Sequence, residues 1–533
     1  EFKNVSKSFG DRLLIDNLSF KVPAGAIVSS TATNTLLGAF TDTSEFSQNM
    51  AATLVPAGAI TTKSLRGTLG LESLNAPTAL TTRTGAGVTV AVIDSGMFQD
   101  GGSVARIKTT RDFTTGNANP PAVAAVDGYG HGTHVANLIG GDQPEVPGVA
   151  PGVKYVSLRV LNNLGVGATS DVIHALQWAV ANKATYGIDI INLSLGHPIF
   201  EPAATDPLVQ AVEAAVRAHI VVVVAGGNYG MNPLTGKVGY GGISSPGNAP
   251  SAITVGAIKT QDTAVRSDDA VADYSSRGPT WFDGFVKPDI LAPGHRLLAA
   301  AQSNQTLYGL MMGNRQTVAG RQYLTLSGTS MSAAVVSGTV ALMLEEERST
   351  YFTTPTVNTI KAVLQATAFP MKDAAGVPLH ALVQGAGSLN TAGALTLSHA
   401  INPGALLPSL WLTMGVTPST TIAGQNVVWG DNVVWGDSVI SGTSIYINPS
   451  NLVWWTDNVI WGSKTAMPSN VVWGDNVVWG DSLIANNLLI GQNVVWGDNV
   501  VWGDNVVWGD NVVWGDNVVW GDNVVWGDVS LLP

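Results

Sequence analysis

The chain has 533 residues, of which 45% are hydrophobic and 12% charged, and it contains no cysteine. This length is too great for one ordinary core and predicts two or three units. The composition excludes general disorder, disulfides and thiol chemistry. No apolar run approaches the roughly 18 residues of a membrane span, so we expect a soluble protein without a transmembrane segment.

The net charge of −12 is concentrated near the C-terminal end. Residues 421–533 hold eleven Asp and one Lys, a charge of −10, which leaves −2 for the first 420 residues. The body of the chain therefore offers no basic field that attracts nucleic acid, and we expect no nucleic-acid partner.

The first residues carry no export signal, because no basic start is followed by an apolar run. The opening Phe2-Lys3-Asn4-Val5-Ser6-Lys7-Ser8-Phe9-Gly10 is similar to the first strands of an ABC-F ATPase domain, and Phe9 is then the aromatic residue that stacks on adenine. This resemblance ends at Val28, and the chain has no Gly-x-x-x-x-Gly-Lys-Ser/Thr loop for phosphate. We interpret residues 1–28 as a non-functional fusion or gene-model remnant. Residues 29–75 are read as a linker or the end of a pro-segment.

Residues 76–400 alternate apolar runs with helical patterns. Asp171 to Lys183 and Leu208 to Ala218 have helical spacing, and runs of strand length lie at 88–93, 154–161, 188–195, 220–225 and 252–257. This alternation predicts parallel βαβ units and a sheet covered on both faces. Since ligands collect at the carboxyl ends of such strands, Asp94 after the first run and Asn228 after the fourth are expected to share one cleft.

Three short segments carry an acid, a base and a nucleophile in chain order. They are Val92-Ile93-Asp94-Ser95-Gly96, His131-Gly132-Thr133-His134-Val135-Ala136 and Ser327-Gly328-Thr329-Ser330-Met331. A hydroxyl becomes nucleophilic when an imidazole takes its proton, and a carboxylate fixes the tautomer of that imidazole. Met331 to Leu344 predicts a buried helix that leaves the core at Glu345-Glu346-Glu347-Arg348. Ser330 is therefore expected at a helix N-terminus, where backbone amides favour an oxyanion.

On these segments, residues 76–400 resemble the subtilisin-like serine proteases (subtilases, peptidase family S8). The resemblance implies an α/β fold with a three-layer, doubly wound, mostly parallel sheet. It also implies a serine endopeptidase that forms an acyl-enzyme, with Asp94 as the orienting carboxylate, His131 as the general base and then acid, and Ser330 as the nucleophile. The side-chain amide of Asn228 and the backbone N–H of Ser330 then form the oxyanion hole.

The same resemblance implies where a polypeptide substrate binds. An extended peptide is added as a strand between Gly165-Val166-Gly167 and Ser194-Leu195-Gly196. Ala225-Gly226-Gly227 completes a first pocket without a formal charge, which favours a bulky apolar side chain. The turn Ser245-Pro246-Gly247 matches a family turn with a cis proline.

Other parts of the pattern depart from the family or argue against a metal. Ser332-Ala333-Ala334 stands where the family has Ala, then Ser or Thr, then Pro. Residues 140–147 lack the Asn-rich stretch of calcium-binding members, so no cofactor is required and structural calcium has no clear motif. His134 lies one helical turn from His131, but no Glu follows His131 as a zinc protease needs. We therefore assign His134 to packing, like His174 and His197.

The C-terminal region repeats Asn-Val-Val-Trp-Gly-Asp six times without interruption from Asn493 to Asp528, with earlier copies at 426–437 and 470–481. The short apolar runs and Gly-Asp-Asn turns predict a β-solenoid over 426–533, with 401–425 as a linker; a disordered or self-associating tail is the alternative. We expect an extracellular or cell-surface endopeptidase whose repeats self-associate or attach it to a surface. The alternative function is a catalytically impaired surface or adhesion protein that acts through its repeats.

Overall fold

The structure is a computed structural model of the whole chain. It describes residues 65–71, 82–98, 106–231, 238–373 and 376–402 with their side chains, together with single positions between 413 and 429. Elsewhere it gives the backbone of the strands and of the first residues of one helix.

An eight-stranded sheet forms the centre of the molecule. Its strands lie in the spatial order Ala270–Val271, Ile253–Lys259, Val221–Ala225, Ile190–Leu193, Thr89–Asp94, Lys154–Arg159 and Ile107–Asp112, with Ile290–Pro293 also beside Ile253–Lys259. All neighbours pair in parallel except Ala270–Val271, which is antiparallel. The five predicted strands are all present, which confirms a mostly parallel α/β sheet. Thr89–Asp94 is buried along its whole length, as expected for a strand covered on both faces.

The described strands also form a three-stranded sheet and several two-stranded pairs. The three-stranded sheet has the order Leu297–Ala300, Arg321–Leu326, Arg315–Val318. The two-stranded pairs are Phe2–Phe9 with Arg12–Phe20, Thr35–Leu36 with Gly167–Ala168, Asp142–Gln143 with Val146–Pro147, His197–Pro198 with Ser244–Ser245, and Ser419–Ile422 with Gln425–Val428.

Helices of ten residues or more pack around the sheet: His131–Gly140, Thr169–Ala181, Pro207–Arg217, Thr329–Tyr351, Val357–Thr367 and Thr391–Ala400. Shorter helices are Thr62–Thr68, Lys183–Tyr186, Thr306–Leu310, Ala381–Gln384 and the 3₁₀ turn Met312–Asn314. Both helices predicted between the strands are present, within two residues of the expected ends. Within the described residues, no helix is long and apolar enough to span a membrane.

The helix Thr329–Tyr351 is the central helix, and it contacts five parallel strands of the sheet. The prediction that it leaves the core at its acidic run is wrong, because Glu346 and Glu347 are both fully buried. Glu346 is held by Arg83, whose Nε donates to it at 2.6 Å, and by His399 Nδ1 at 2.8 Å. Partners from distant parts of the chain thus stabilise the buried side chain of Glu346.

Glu347 offers a test of the cost of burying a carboxyl group. Neither of its oxygens has a hydrogen-bond partner among the described residues, and burial, together with the charge of Glu346, raises its pKa from 4.5 to about 9. Folding at neutral pH therefore requires proton uptake, at a cost of about 1.4 kcal/mol per pH unit above the unfolded pKa. We expect Glu347→Gln, which needs no proton, to raise the free energy of unfolding by roughly 3 kcal/mol at pH 7. The gain over the wild type should grow between pH 5 and pH 8 in denaturant titrations.

Glu345→Gln is the matched control, since Glu345 Oε2 accepts hydrogen bonds from the backbone N–H groups of Thr84, Gly85 and Ala86. This variant should lose stability. A Glu347→Gln protein that gains nothing at any pH contradicts the argument.

The packed unit extends beyond the predicted boundaries at both ends. Leu65 and Leu69, from the predicted linker or pro-segment, are buried in the main core. Trp429, from the first repeat, is buried in the same core, and Ile422, from the second predicted linker, is buried against Phe369. These two predicted linkers therefore include segments that belong to the domain, because apolar side chains in them complete its core.

The repeat region contains strands that pair in parallel in two sets. One set is Val434–Trp435, Ile460–Trp461, Asn476–Trp479, Asn499–Trp502, Asn511–Trp514 and Asn523–Trp526. The other is Val471–Trp473, Asn493–Trp496, Asn505–Trp508, Asn517–Trp520 and Val529–Leu531. Among the uninterrupted copies, strands twelve residues apart pair in register, as Trp502 with Trp514. A separate antiparallel pair is formed by Tyr446–Asn448 and Val453–Trp455.

Candidate active site

Asp94 and His131 meet at the carboxyl edge of the central sheet. Asp94 ends the strand Thr89–Asp94, and His131 begins the helix His131–Gly140. His131 Nδ1 lies 2.8 Å from Asp94 Oδ1 and 2.9 Å from Oδ2, and both side chains are fully buried. The other ring nitrogen, Nε2, is buried and makes no hydrogen bond to any described residue. The carboxylate thus holds the proton on Nδ1 and leaves Nε2 as the basic nitrogen.

Ser330 is the second residue of the helix Thr329–Tyr351, so its backbone N–H belongs to the first turn, where amides lack helical partners. Its Oγ donates a hydrogen bond to the Ser194 carbonyl oxygen at 3.2 Å, and Ser194 Oγ donates to the Ser330 carbonyl oxygen at 2.9 Å. Asn192 Nδ2 donates to Ser194 Oγ at 2.9 Å. Ser194, which directly follows the strand Ile190–Leu193, therefore fixes the position of Ser330. In this structure the Ser330 hydroxyl is hydrogen-bonded to the Ser194 carbonyl oxygen, and His131 Nε2 has no hydrogen-bond partner among the described residues.

Asn228 follows the strand Val221–Ala225 and lies beside the start of the Ser330 helix. Its Oδ1 accepts hydrogen bonds from the N–H and the Oγ1 of Thr329, both at 3.1 Å. Gly227 N–H in turn donates to Thr329 Oγ1 at 3.1 Å. Because Oδ1 is fixed by Thr329, the NH₂ group is directed to the opposite side of the amide. Asn228 and Ser330 thus lie near each other, because Asn228 is bonded to Thr329, which directly precedes Ser330.

The segment predicted to bind substrate on one side forms a tight turn, in which Gly165 is buried and Val166 and Gly167 are half-buried. Gly165 N–H donates to the Asn162 carbonyl oxygen, and Asn162 N–H to that of Val166. Gly165 has φ +74°, and a Cβ there would lie 2.4 Å from the Tyr129 ring. The following Gly167–Ala168 pairs antiparallel with Thr35–Leu36. This edge therefore accepts an extended strand in the structure itself.

Ser194–Gly196 and Ala225–Gly227 are the residues predicted to form the opposite wall. Leu195 and Ala225 are fully buried, and Ser244 N–H donates to the Gly226 carbonyl oxygen at 3.1 Å. Gly227 has φ +109°, and a Cβ there would lie 2.6 Å from Ser244 Oγ. Only glycine fits this close approach. The Ser245–Pro246 peptide bond is cis, as the family turn implies.

Comparison with known proteins identifies the family of this chain. The model of the subtilase family of peptidases matches residues 85–394. The chain belongs to the subtilase family. Serine protease AprX of Bacillus subtilis (strain 168) is 38% identical over 274 residues, which make up 50% of this chain and 58% of that relative's length. Subtilisin of Bacillus pumilus is 33% identical over 281 residues, 52% of this chain and 84% of that protein.

Among solved structures, that of a cold adapted subtilisin-like serine proteinase aligns with a TM-score of 0.40 at 28% identity. The alignment covers 56% of this chain and 88% of that one. The chain spans little more than half the length of AprX.

Sequence reasoning missed Asp127, a buried residue that connects the segments around Asp94 and His131 in this subtilase. Its Oδ1 accepts from Ser95 Oγ at 2.9 Å and Gly130 N–H at 2.7 Å, and its Oδ2 accepts from Thr133 N–H at 2.8 Å and Thr133 Oγ1 at 2.6 Å. Burial raises the pKa of Asp127, although these hydrogen bonds oppose the shift. An acidic residue four positions before His131, just ahead of a helix start, was the available signal.

His134 is buried among backbone carbonyl groups, which fits the packing role predicted from the sequence. Its Nε2 lies 3.1 Å from the carbonyl oxygens of both Leu297 and Leu324. Burial and the nearby His131 lower its pKa from 6.5 to about 3, so the ring stays neutral. No group of three or more metal-ligating side chains occurs among the residues that the structure describes.

Proposed function

We propose that the chain is a serine endopeptidase that cleaves polypeptides through an acyl-enzyme. The observation that carries this proposal is the buried Asp94–His131 pair, whose remaining nitrogen, Nε2, has no hydrogen-bond partner among the described residues. Similarity over half of the chain to serine protease AprX and to a subtilisin supports the same function.

The proposed first step is attack of Ser330 Oγ on the substrate carbonyl carbon. The hydroxyl turns from the Ser194 carbonyl to His131 Nε2, which accepts its proton, while Asp94 stabilises the imidazolium. Asn228 Nδ2 and the Ser330 N–H donate to the oxyanion. His131 then gives its proton to the leaving amine, and the C–N bond breaks.

The second step restores the enzyme. A water molecule gives its proton to His131 and attacks the ester carbon. The tetrahedral intermediate collapses, and His131 returns the proton to Ser330 Oγ, which releases the carboxylic acid product. The proposed steps use side chains, backbone amides and water, and require no cofactor.

We place the substrate as an added strand along Gly165–Gly167, with Ser194–Gly196 on the other side. The pairing of Thr35–Leu36 with Gly167–Ala168 supports this placement, because it satisfies backbone groups of the same edge. Ala225, Gly226 and Gly227 would line the first pocket. Since none of these residues carries a charge, we propose a preference for a bulky apolar side chain there.

For residues 426–533 we propose a β-solenoid with two copies of the repeat in each coil. The in-register pairing of strands twelve residues apart supports this, since it places Asn beside Asn and Trp beside Trp. We propose that the enzyme is extracellular or lies at the cell surface, and that these coils self-associate or attach it to a surface.

Active-site labelling tests the proposed chemistry directly. A fluorophosphonate probe should modify the folded full-length protein at neutral pH, and mass spectrometry should place the adduct on Ser330. Casein should be cleaved at the same time. Folded protein that neither reacts with the probe nor cleaves casein would falsify the proposed function.

Removal of the Asn228 amide tests the oxyanion hole. We expect Asn228→Ala to lower kcat by about 10²–10³ with little change in KM, because the donor is needed only when the oxyanion forms. Steady-state kinetics with a peptide p-nitroanilide would measure this. Asn182→Ala, which removes an amide that donates to the Trp178 carbonyl oxygen, is the control and should keep its kcat. A change confined to KM argues against this role for Asn228.

A further inference from the structure

The first copy of the repeat is packed against the peptidase domain. It forms the second strand of the hairpin Ser419–Ile422 and Gln425–Val428 and continues to Trp429. Trp429 is 2% exposed and lies in the main core, while Ile422 and Val427 are buried against Phe369. Burial of a tryptophan and two aliphatic side chains is a large apolar contribution for a segment of this length.

Polar contacts fix the register of this hairpin. Gln425 Oε1 accepts from the Arg266 N–H at 2.6 Å, and Gln425 Nε2 donates to Ser267 Oγ at 3.0 Å. Trp429 Nε1 donates to Thr420 Oγ1 at 2.8 Å. The N–H of the buried indole therefore has a hydrogen-bond partner, and both the oxygen and the nitrogen of the Gln425 side-chain amide form hydrogen bonds.

The side chain of Arg266 links the hairpin to distant parts of the domain. It is 5% exposed, and it donates to the Thr68 carbonyl oxygen at 2.6 Å and to Ser388 Oγ at 2.9 Å. Its guanidinium carbon lies 4.8 Å from the centre of the Phe369 ring, and its Nη2 lies 2.8 Å from Asp269. The buried Arg266 therefore connects the hairpin to the helix Thr62–Thr68.

We propose that the peptidase domain carries a binding site for one Gln-Asn-Val-Val-Trp strand, and that the chain's own Gln425–Trp429 occupies it. Val427 packs against Phe369, and Trp429 packs in the main core. The backbone N–H of Arg266 and the hydroxyl of Ser267 bind the side-chain amide of Gln425. The occupied site anchors the repeat region to the catalytic unit at Trp429.

The chain itself contains a competing sequence for this site. Gly424-Gln425-Asn426-Val427-Val428-Trp429 recurs as Gly491-Gln492-Asn493-Val494-Val495-Trp496. The preceding residues differ, since Thr420-Thr421-Ile422 is replaced by Asn487-Leu488-Leu489. Thr420 Oγ1 accepts from Trp429 Nε1 and from Asn390 Nδ2 at 3.2 Å, and Ile422 is fully buried. Because the second copy lacks Thr420 and Ile422, we expect the site to bind the first copy in preference to the second.

The pair Trp429→Ala and Trp496→Ala in the full-length chain tests the assignment, because both remove the same side chain from the same local sequence. Trp429→Ala should lower the Tm of the peptidase domain by roughly 10 °C, since it empties a buried indole site. Hydrogen exchange should also accelerate over 65–71, which Arg266 connects to the hairpin. Trp496→Ala should leave both quantities unchanged.

Each outcome decides the proposal. Failure of Trp429→Ala to fold, while Trp496→Ala folds, is the stronger form of the expected result. Equal Tm values for the two variants overturn the site, and a loss confined to Trp496→Ala assigns it to the second copy. Gln425→Leu against Gln492→Leu tests the polar contacts in the same way: a fall of a few degrees is expected in the first variant alone. None of these measurements depends on catalysis.

Discussion

Ser330→Ala is expected to abolish peptide hydrolysis, with a fall in kcat of about 10⁴–10⁶, which is typical for loss of the nucleophile from such a triad. The substitution removes the atom that would form the acyl bond and leaves Asp94, His131 and Asn228 in place. Binding should change little, because the hydrogen bond from Ser330 Oγ to the Ser194 carbonyl oxygen is made within the protein and not to the substrate. Cleavage of a peptide p-nitroanilide and labelling by a fluorophosphonate should be lost together.

Ser332→Ala is the matched control for this experiment. Ser332 lies in the same first turn of the helix, is fully buried, and donates its hydroxyl hydrogen bond to the Ala292 carbonyl oxygen at 2.9 Å. Both variants therefore lose one buried hydroxyl, but Ser332→Ala should retain its kcat. Labelling that persists in Ser330→Ala would identify a different nucleophile and refute the assignment.

Much of the site could be predicted because its chemistry is local in sequence. Asp94 ends an apolar run, His131 opens a helix, and Ser330 precedes an apolar helix, so each lies where a strand or helix begins or ends at the ligand edge of a parallel sheet. The helix around Ser330 also forms without the proline of the family, since Ala333 and Ala334 are good helix formers and are fully buried.

The features that were missed depend on contacts between distant segments. Glu346 is stable inside the protein because Arg83 and His399 reach it from the two ends of the domain. Trp429 belongs to the core although its sequence is identical to that of later repeats. Neither position is marked by its neighbours in the chain, because the partners that decide its burial lie far away in sequence. Local pattern therefore predicts elements better than domain boundaries.

Asp94→Asn should lower kcat by about 10⁴, although the substitution preserves size and shape. Asp94 Oδ1 accepts from Ser95 N–H at 2.7 Å as well as from His131 Nδ1. An asparagine that keeps its oxygen toward the Ser95 N–H puts its NH₂ group in the place of Oδ2, which lies 2.9 Å from His131 Nδ1, and this NH₂ group cannot accept the Nδ1 proton. His131 must then accept at Nδ1 and carry its proton on Nε2, the nitrogen that has to take the proton of Ser330. Substrate binding should be unaffected, so the loss should appear in kcat and not in KM.

Asp189→Asn provides the control at the opposite end of the same strand, where Asp189 Oδ2 accepts from the Thr89 N–H at 3.0 Å and Oδ1 pairs with Arg348. That variant should lose stability and keep its kcat, because the tautomer of His131 does not depend on it. The comparison separates the two functions of a carboxylate at a strand end, since both variants weaken the strand Thr89–Asp94 but only one changes the proton on His131. An Asp94→Asn enzyme within tenfold of wild-type kcat means that Asp94 does not set the tautomer.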